Sequence, residues 1–525
     1  MRRLVLLGVV WLGCEGEILV PEGPRLQEPP AQQVMPMPTS MPPMPMPPVT
    51  VPVDAGRPPA PATREAVIDE VMFSQAVTAP LVRQGVWVPP AQRAVPLVHS
   101  RGLMLQVTAE AKVPAFLNRA LEVSLDVQSD DGGLTRLEGT LRAEPTGRAF
   151  AADAGVRFVL DAARVKPDAR VRFTLLEPGP PPRTLDVFPA DGGFVALEPW
   201  PDRMPLRLMV VPVTNGCSAA PVMSPALRQV IETYVWNVYP VNDLEVRYHA
   251  PITITGCGEG DVMDQLSAVR TREALGPQWY YQAQLSQNIG GYAYIFEDDT
   301  EVDADRVGWV GYWPGEEPVN VAHELGHSHG SDHTFSGSAF PPYQPAAGKA
   351  YGGREHFGFA LRGGHHPWVS GEIGGRVFPP TITAGARIDN GRDQNFYDVM
   401  SYTSPYWVSA FSYSEWARRI RASNRWAAFG PRGPSVPLVS MSRGLDGVVR
   451  WSAVEGRLGS TVEDATLVTS DGLSPIRVEV VRGCGDDVAR LRFVAVEGWQ
   501  QRTFTLWHRG VSFVHEPLPG IGSPQ

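Results

Sequence analysis

Three histidines and one glutamate occur at spacings that suit a catalytic metal site. His323 and His327 are four residues apart, so a helix would place both side chains on one face, where they can bind one ion. Glu324 points about 100° further round such a helix, where its carboxylate can reach water beside the ion. Gly330 can adopt the positive φ that ends the helix, and the returning chain then brings in His333. Three histidine ligands leave one tetrahedral position open, as in catalytic zinc sites.

A second segment, residues 398–402 (DVMSY), follows later in the chain. Together with the complete H-E-x-x-H-x-x-G-x-x-H pattern at 323–333, it resembles the metzincin clan of zinc endopeptidases, in which a tight methionine turn underlies the metal. The resemblance covers about residues 204–430 and implies that Met400 forms an apolar floor beneath the histidines. It also implies that the phenol of Tyr402 stabilises an oxyanion, although a buried core tyrosine is an equal alternative.

The elements around these residues follow an alternating pattern. Apolar runs predict strands, at 206–213, 244–248, 279–285 and 308–313. Helical periodicity and end signals predict four helices. The first follows the N-cap Ser224 and carries apolar residues from Leu227 to Val238 on one face. The others lie at 261–275, from about 316 through the histidine motif, and from a capping box at Ser412–Glu415 to about Asn424. The long interval between the histidine motif and Met400 indicates an inserted subdomain. Strands alternating with helices predict an α/β catalytic domain at 204–432.

The flanking sequence has a different character. Residues 15–62 are rich in proline and methionine and predict an extended, disordered linker. Short alternating runs between turn signals predict a β-sandwich-like domain at 63–203, serving as a spacer, a binding module or a removable pro-segment. A similar pattern predicts a small β domain at 433–525. The predicted fold is therefore multidomain, with a central α/β metzincin-like catalytic domain flanked by β-sandwich-like modules.

The first fourteen residues have the features of an export signal. Arg2 and Arg3 precede a short apolar run at 4–12, which is too short to span a bilayer as a helix. The following Leu-Gly-Cys resembles a bacterial lipobox, which implies lipidation of Cys14 and a lipoprotein at the outer membrane or cell surface. An ordinary cleaved signal peptide is the alternative, and the protein would then be secreted or periplasmic.

Three cysteines remain after Cys14, and an odd number in an exported protein suggests one disulfide and one spare thiol. Cys217 and Cys257 fall in the same predicted domain and are the better pair. Cys484 would then be the spare.

Composition limits the classes of partner. The chain has 525 residues and a formal net charge of −10. Because binding to nucleic acid requires a basic surface, we expect no nucleic-acid partner. The only predicted membrane association is the lipid anchor. An acidic cluster within 297–305 could bind Ca²⁺, but it lacks a fixed loop spacing, and a solvated turn is favoured.

These observations predict an exported Zn²⁺-dependent endopeptidase that hydrolyses extracellular proteins or glycoproteins. Glu324 would act as the general base, and His323, His327 and His333 would bind the metal. One alternative is a surface adhesin whose metzincin-like domain binds without cleaving, although binding alone has no use for a general base. Another is a narrower metal-dependent hydrolase that acts on peptidoglycan peptides or other non-protein esters.

Overall fold

The computed structural model describes residues between 63 and 517, with internal gaps. The described segments are 63–129, 132–145, 155–287, 290–295, 306–311, 317–331, 333, 358–360, 364–365, 372–373, 376–377, 381–382, 386–388, 397–400, 406–429, 436–443, 449–456, 458, 462–483, 488–496 and 498–517. Several predictions concern residues outside these segments: the signal sequence with Cys14, the linker, the acidic cluster, Tyr402 and Cys484.

The N-terminal β module, residues 63–203, contains two five-stranded antiparallel sheets. Its strands are β1 (Ala66–Ser74), β2 (Thr78–Arg83), β3 (Val86–Trp87), β4 (Leu103–Ala111), β5 (Ala120–Gln128), β6 (Leu134–Arg142), β7 (Val156–Leu160), β8 (Arg170–Glu177), β9 (Arg183–Phe188) and β10 (Val195–Ala196). One sheet has the order β3-β2-β1-β4-β7. The other has the order β10-β8-β5-β6, with β9 beside β8.

Period-two alternation explains the shared core of these two sheets. In β5, four alternate residues are each at most 1% exposed: Leu121, Val123, Leu125 and Val127. Successive strand side chains point to opposite faces, so these four line one face of their sheet. They belong to the same buried cluster as Val71 and Phe73 of β1 in the other sheet.

The chain then alternates between strands and helices. These elements are β11 (Pro205–Thr214), α1 (Pro225–Val238), β12 (Asp243–Tyr248), β13 (Ile252–Thr253), α2 (Glu259–Glu273), β14 (Trp279–Gln284), β15 (Gly291–Ile295), β16 (Val307–Val310) and α3 (Glu317–Ser328). Strands β12, β11, β14 and β16 are parallel neighbours, and β13 extends the pairing of β11. Strand β15 is antiparallel to β16.

The remaining elements are mostly strands. They are β17 (Gly358–Ala360), β18 (Gly364–His365), β19 (Glu372–Ile373), β20 (Arg376–Val377), β21 (Thr381–Ile382), β22 (Ala386–Ile388), β23 (Tyr397–Asp398), β24 (Tyr406–Trp407), α4 (Ala410–Phe429), β25 (Val436–Arg443), β26 (Val449–Gly456), β27 (Val462–Thr469), β28 (Gly472–Gly483), β29 (Val488–Val494), β30 (Phe504–His508) and β31 (Val511–His515). Strands β17 to β24 form four two-stranded sheets. Strands β25 to β31 are joined by antiparallel pairings.

The prediction of a central α/β metzincin-like domain with separate flanking modules is wrong. The described residues contain four α-helices and thirty-one strands, and most of the sheets are antiparallel. The central strands form no sheet of their own, because β15 pairs antiparallel with β28 at Tyr294 and Ile295. One mixed thirteen-stranded sheet therefore continues from the parallel strands into the C-terminal strands. Local periodicity could not reveal this, since it identifies strands but not their distant partners.

The helix boundaries test the sequence signals directly. Ser224 caps α1, because its hydroxyl oxygen accepts a hydrogen bond from Leu227 N at 3.2 Å, and the predicted N-cap is confirmed. The predicted capping box at Ser412–Glu415 is wrong, because α4 already begins at Ala410. The hydroxyl oxygen of Ser409 accepts a hydrogen bond from Ser412 N at 3.2 Å, so Ser409 takes the capping position. Within the described segments, no helix is long and apolar enough to cross a membrane.

Cys217 and Cys257 form a disulfide, which confirms the predicted pair. The bond closes a loop with a sequence separation of 40 that includes α1, β12 and β13. Such a loop loses considerable entropy in the unfolded state when it is cross-linked.

We predict that the double variant Cys217→Ser, Cys257→Ser lowers the free energy of unfolding by about 3–4 kcal/mol, because the unfolded chain regains loop entropy. Urea unfolding followed by far-ultraviolet circular dichroism measures this. Adding reductant to the wild-type protein should reproduce the loss and leave the double variant unchanged. An equal response of both proteins to reductant would contradict the assignment.

Candidate metal centre

Helix α3 carries the first two candidate ligands on a buried face. His323 and His327 are 8% and 0% exposed, and Leu325 between them is fully buried. The helix packs against α1, β15 and β16. The hydroxyl of Tyr239, which follows α1, donates a hydrogen bond to Ala322 O at 2.8 Å. The predicted helix through the motif is therefore present, and it is fixed on several sides.

A glycine-dependent turn ends α3 and redirects the chain. Gly330 has φ +87°, as the sequence predicts. Gly330 N donates to His327 O at 2.7 Å, and Ser331 N donates to Gly326 O at 3.1 Å. This pair of bonds is the Schellman arrangement, which requires a left-handed residue at the position of Gly330. The turn brings His333 back towards the helix.

The three histidine rings meet at their Nε2 atoms. The separation is 3.1 Å between His323 and His327, 3.0 Å between His327 and His333, and 3.1 Å between His333 and His323. These three residues form a cluster that could hold a metal ion.

Backbone carbonyls fix the tautomers of two rings. His323 Nδ1 lies 2.8 Å from Val399 O, and His327 Nδ1 lies 2.7 Å from Ser331 O. A carbonyl oxygen can only accept, so each Nδ1 carries the proton and each Nε2 presents a bare lone pair. Such hydrogen bonds from the far ring nitrogen are typical of histidines that bind metals.

Burial also keeps the imidazoles neutral. Loss of hydration lowers the pKa of His323 to about 4 and that of His333 to about 3. It lowers the pKa of His327 well below the usual value, and the neighbouring rings of His323 and His333 add to the effect. Neutral imidazole is the form that binds a metal ion, so the ligand set is ready at neutral pH.

The donor set fits a divalent transition metal. Lone pairs facing each other at about 3 Å repel unless a cation lies between them, and zinc accepts imidazole nitrogen at about 2.0–2.1 Å, which a triangle of this size permits. Among the residues that the structure describes, no thiolate or carboxylate joins the three nitrogens of this cluster. Three imidazoles suit zinc, copper, iron or nickel far better than calcium or magnesium.

Glu324 follows His323 directly on α3, and its carboxylate is out of solvent. The residue is 4% exposed, and its Oε2 has no hydrogen-bond partner among the described residues. Burial raises the pKa of Glu324 well above the usual value. A Cβ added to Gly291 of β15 would lie 2.3 Å from Glu324 Oε1, so the missing side chain makes room for the carboxylate. A buried carboxylate with a raised pKa suits proton transfer.

Met400 packs against the same helix. It is fully buried, and a Cβ added to Gly326 would lie 2.4 Å from its Sδ atom and 2.8 Å from Cζ2 of Trp416. Gly326 is an unspecified position in the histidine motif, yet it allows this close approach. Met400 therefore lies against α3 at Gly326, one residue before His327. Tyr402, predicted to stabilise an oxyanion, lies outside the described residues.

Asp398 is a contributor to the site that the sequence pattern leaves without a role. It is 1% exposed, and its carboxylate accepts hydrogen bonds from Met400 N at 2.7 Å, Ser409 N at 3.2 Å and Ser412 Oγ at 2.8 Å. These bonds join the 398–400 segment to the start of α4. The sequence feature that could have predicted this role is an aspartate two positions before Met400, since an Asp side chain commonly accepts a hydrogen bond from the backbone N–H two residues on.

His329 belongs to the motif segment but not to the metal cluster. It is fully buried, its Nδ1 lies 2.6 Å from Leu325 O, and its ring stacks on Tyr280 with a centroid distance of 4.5 Å. Its place is the aromatic packing behind α3.

We predict that Gly330→Ala lowers the free energy of unfolding by about 1–2 kcal/mol, because alanine is strained at positive φ. The same change should weaken zinc binding about tenfold through displacement of His333, as measured by competition with a chromogenic chelator. The matched control is Gly510→Ala, at φ +78° in the β30–β31 turn, where the described part of the chain has no atom within 4 Å of an added Cβ. Equal metal affinity in the two variants would refute the role of the turn.

Comparison with known proteins adds no assignment to this geometry. No protein-family model matches the chain, and no curated protein matches it.

Proposed function

We propose that the protein is an exported zinc-dependent endopeptidase that acts on extracellular proteins or glycoproteins. The observation that carries the proposal is the meeting of three Nε2 atoms at 3.0–3.1 Å, together with the buried Glu324 next to His323 in the sequence. A structural zinc site normally has four protein ligands, whereas three leave a position for a reacting molecule.

The chemistry divides between the bound ion and the side chains. Zinc held by three neutral imidazoles would polarise a peptide carbonyl and lower the pKa of water towards about 7. Glu324 would accept a proton from the attacking water and pass it to the leaving amine. A raised pKa helps the second transfer, since the protonated acid must persist long enough to donate. The carbonyls of Val399 and Ser331 would hold their histidine rings in the required tautomer.

The state of Glu324 favours catalysis over simple binding. A carboxylate removed from water without a hydrogen-bond partner for one oxygen is destabilising, and a purely adhesive or structural site gains nothing from it. Groups held in such a costly state cluster at active sites, where the strain serves the reaction. The adhesin alternative therefore lacks a reason for this residue.

The disulfide supports the exported location. Disulfides persist in oxidising compartments and are rare in the cytosol. Cys217 and Cys257 form such a bond, in agreement with the signal-like N-terminus of the sequence. We therefore propose export, with Cys14 as the lipid-modified residue of an outer-membrane or cell-surface lipoprotein.

We predict that Glu324→Gln keeps bound zinc but lowers cleavage of an unfolded protein about 10²–10⁴-fold, because the amide cannot accept the proton. Zinc content by elemental analysis and peptide release from reduced casein, read by mass spectrometry, provide the two measurements. His327→Ala is the companion variant and should lose both zinc and cleavage.

Three substrates separate the proposal from its alternatives. Cleavage of casein or mucin that a zinc chelator abolishes supports the endopeptidase, and a preference for mucin indicates glycoprotein substrates. Release of products only from cell-wall fragments would contradict the endopeptidase proposal and support the narrower metal-dependent hydrolase. Unchanged casein cleavage by Glu324→Gln would remove the proposed general base.

We predict that Gly291→Ala lowers activity about 10–100-fold while zinc stays bound, because the new Cβ displaces the carboxylate of Glu324. The matched control is the adjacent Gly290→Ala, whose Cβ would have no atom of the described residues within 4 Å and which should keep full activity. Steady-state cleavage of a fluorogenic peptide, with zinc content measured in parallel, compares the two. The prediction fails if both alanines have the same effect.

A further inference from the structure

The tip of the first hairpin in the N-terminal β module is buried. Hairpin tips normally lie at the surface, because their backbone groups need water. Here Gln75, Ala76 and Val77, which join β1 to β2, are 1%, 0% and 2% exposed. Their polar groups must therefore find partners in the protein.

Part of this need is met inside the module itself. The side chain of Gln75 donates from Nε2 to Val98 O at 2.8 Å and accepts at Oε1 from Val98 N at 2.6 Å. Gln75 O accepts from Nε and Nη2 of Arg101 at 3.0 and 2.8 Å. The tip is thus a rigid structure before any contact with the rest of the chain is counted.

The same arginine joins the module to α1. Arg101 is fully buried and donates to Trp236 O and Val241 O, each at 2.6 Å. Trp236 belongs to the last turn of α1, where carbonyls lack partners within the helix. The cation of Arg101 also lies 5.0 Å from the ring centroid of Trp236. A cation from the module therefore caps a helix that packs against α3.

The tip also contacts the segment beneath the metal cluster. Trp407 of β24 is 2% exposed, and its Nε1 donates to Ala76 O at 2.9 Å. Trp407 O accepts from Val399 N at 2.9 Å, and Val399 O faces His323 Nδ1 at 2.8 Å. Three successive hydrogen bonds thus connect the hairpin tip to a candidate metal ligand.

We propose that the N-terminal β module is a permanent support of the metal centre, and that Trp407 is a positioning residue for His323. The module fixes the indole, the Trp407 backbone fixes Val399, and the Val399 carbonyl orients the His323 ring and holds the proton on Nδ1. This inference rests on the metal centre of the proposed function but not on cleavage of any substrate. It also decides among the possible roles of the module, since a removable pro-segment cannot be part of the site it activates.

The extent of the junction supports a permanent association. One buried apolar cluster contains Phe73 and Val77 of the module together with Met400, Trp407 and other residues around α3 and α4. Further hydrogen bonds join the module to the rest of the chain. Ser414 Oγ donates to Ala94 O at 3.0 Å, and Asn242 Nδ2 donates to His99 O at 3.0 Å. Removing the module would take Arg101 away from the carbonyls of Trp236 and Val241 and expose the apolar surface around Trp407.

Trp407→Phe tests the connection, because it removes the indole N–H and keeps an aromatic ring. We expect about three- to tenfold weaker binding of zinc and of cobalt by chelator competition, a smaller effect than loss of a group that bonds the ligand directly. The visible absorption of the cobalt-loaded protein should change, since it reports ligand geometry. The matched control is Trp451→Phe, whose Nε1 donates to Val514 O at 3.2 Å in the C-terminal strands, and it should leave both readouts unchanged.

Urea unfolding of the two metal-free variants separates positioning from general destabilisation. Wild-type metal affinity and an unchanged cobalt spectrum in Trp407→Phe would overturn the positioning role, whatever the stability of the variant.

If Trp407→Phe fails to fold, a protease recognition sequence inserted after Asp202 in the full chain gives a second measurement. After cleavage, the module should stay bound through gel filtration and the metal affinity should persist. Release of the module with wild-type affinity in the remainder would contradict the permanent support.

Discussion

The metal centre depends on a constraint that opposes folding. Three neutral imidazoles must place their Nε2 atoms about 3 Å from one another in a buried site. The lone pairs of His323 and His327 face each other, because both protons are held on the opposite nitrogens. This arrangement is unfavourable without a cation, so the surrounding protein must enforce it. A bound ion would then add its binding free energy to the stability of the folded state.

The enforcing contacts come from backbone groups of different segments. Ser331 lies just past the end of α3 and supplies the carbonyl for His327. Val399 lies far along the chain, in the turn after β23, and supplies the carbonyl for His323. Asp398 fixes the second segment by accepting from Met400 N and from the start of α4. A side-chain motif therefore describes the ligands but not the carbonyls that orient them.

This difference explains what the sequence could and could not predict. The helix of His323 and His327, the turn at Gly330 and the return of His333 follow from local geometry, because every residue involved lies within eleven positions. Individual strands such as β11 and β14 follow from apolar runs. Strand pairing does not, so the joining of β15 to β28 and the resulting mixed sheet were beyond local patterns.

Errors at finer scale have a similar origin. The box at Ser412–Glu415 satisfies a helix-start pattern, but Ser409 supplies the cap, with its backbone N held by the carboxylate of Asp398. Local sequence offers several serines as helix caps, and the contact with Asp398 determines that Ser409 is the one used. The burial of Ala76 and Val77, which join β1 to β2, likewise depends on packing that local sequence does not reveal.

Three glycines at the site act for different physical reasons, and the difference bears on how the site tolerates change. Gly330 is needed for its positive φ, whereas Gly326 and Gly291 are needed for space beside Met400 and Glu324. A backbone requirement penalises every residue with a Cβ whatever its neighbours, asparagine least and β-branched residues most. A space requirement depends on the neighbour, so a smaller residue at position 400 could compensate for alanine at Gly326. Glu324 offers no such exchange, because its carboxylate is the group the reaction needs. The constraint at Gly291 therefore arises from chemistry, and that at Gly326 from packing.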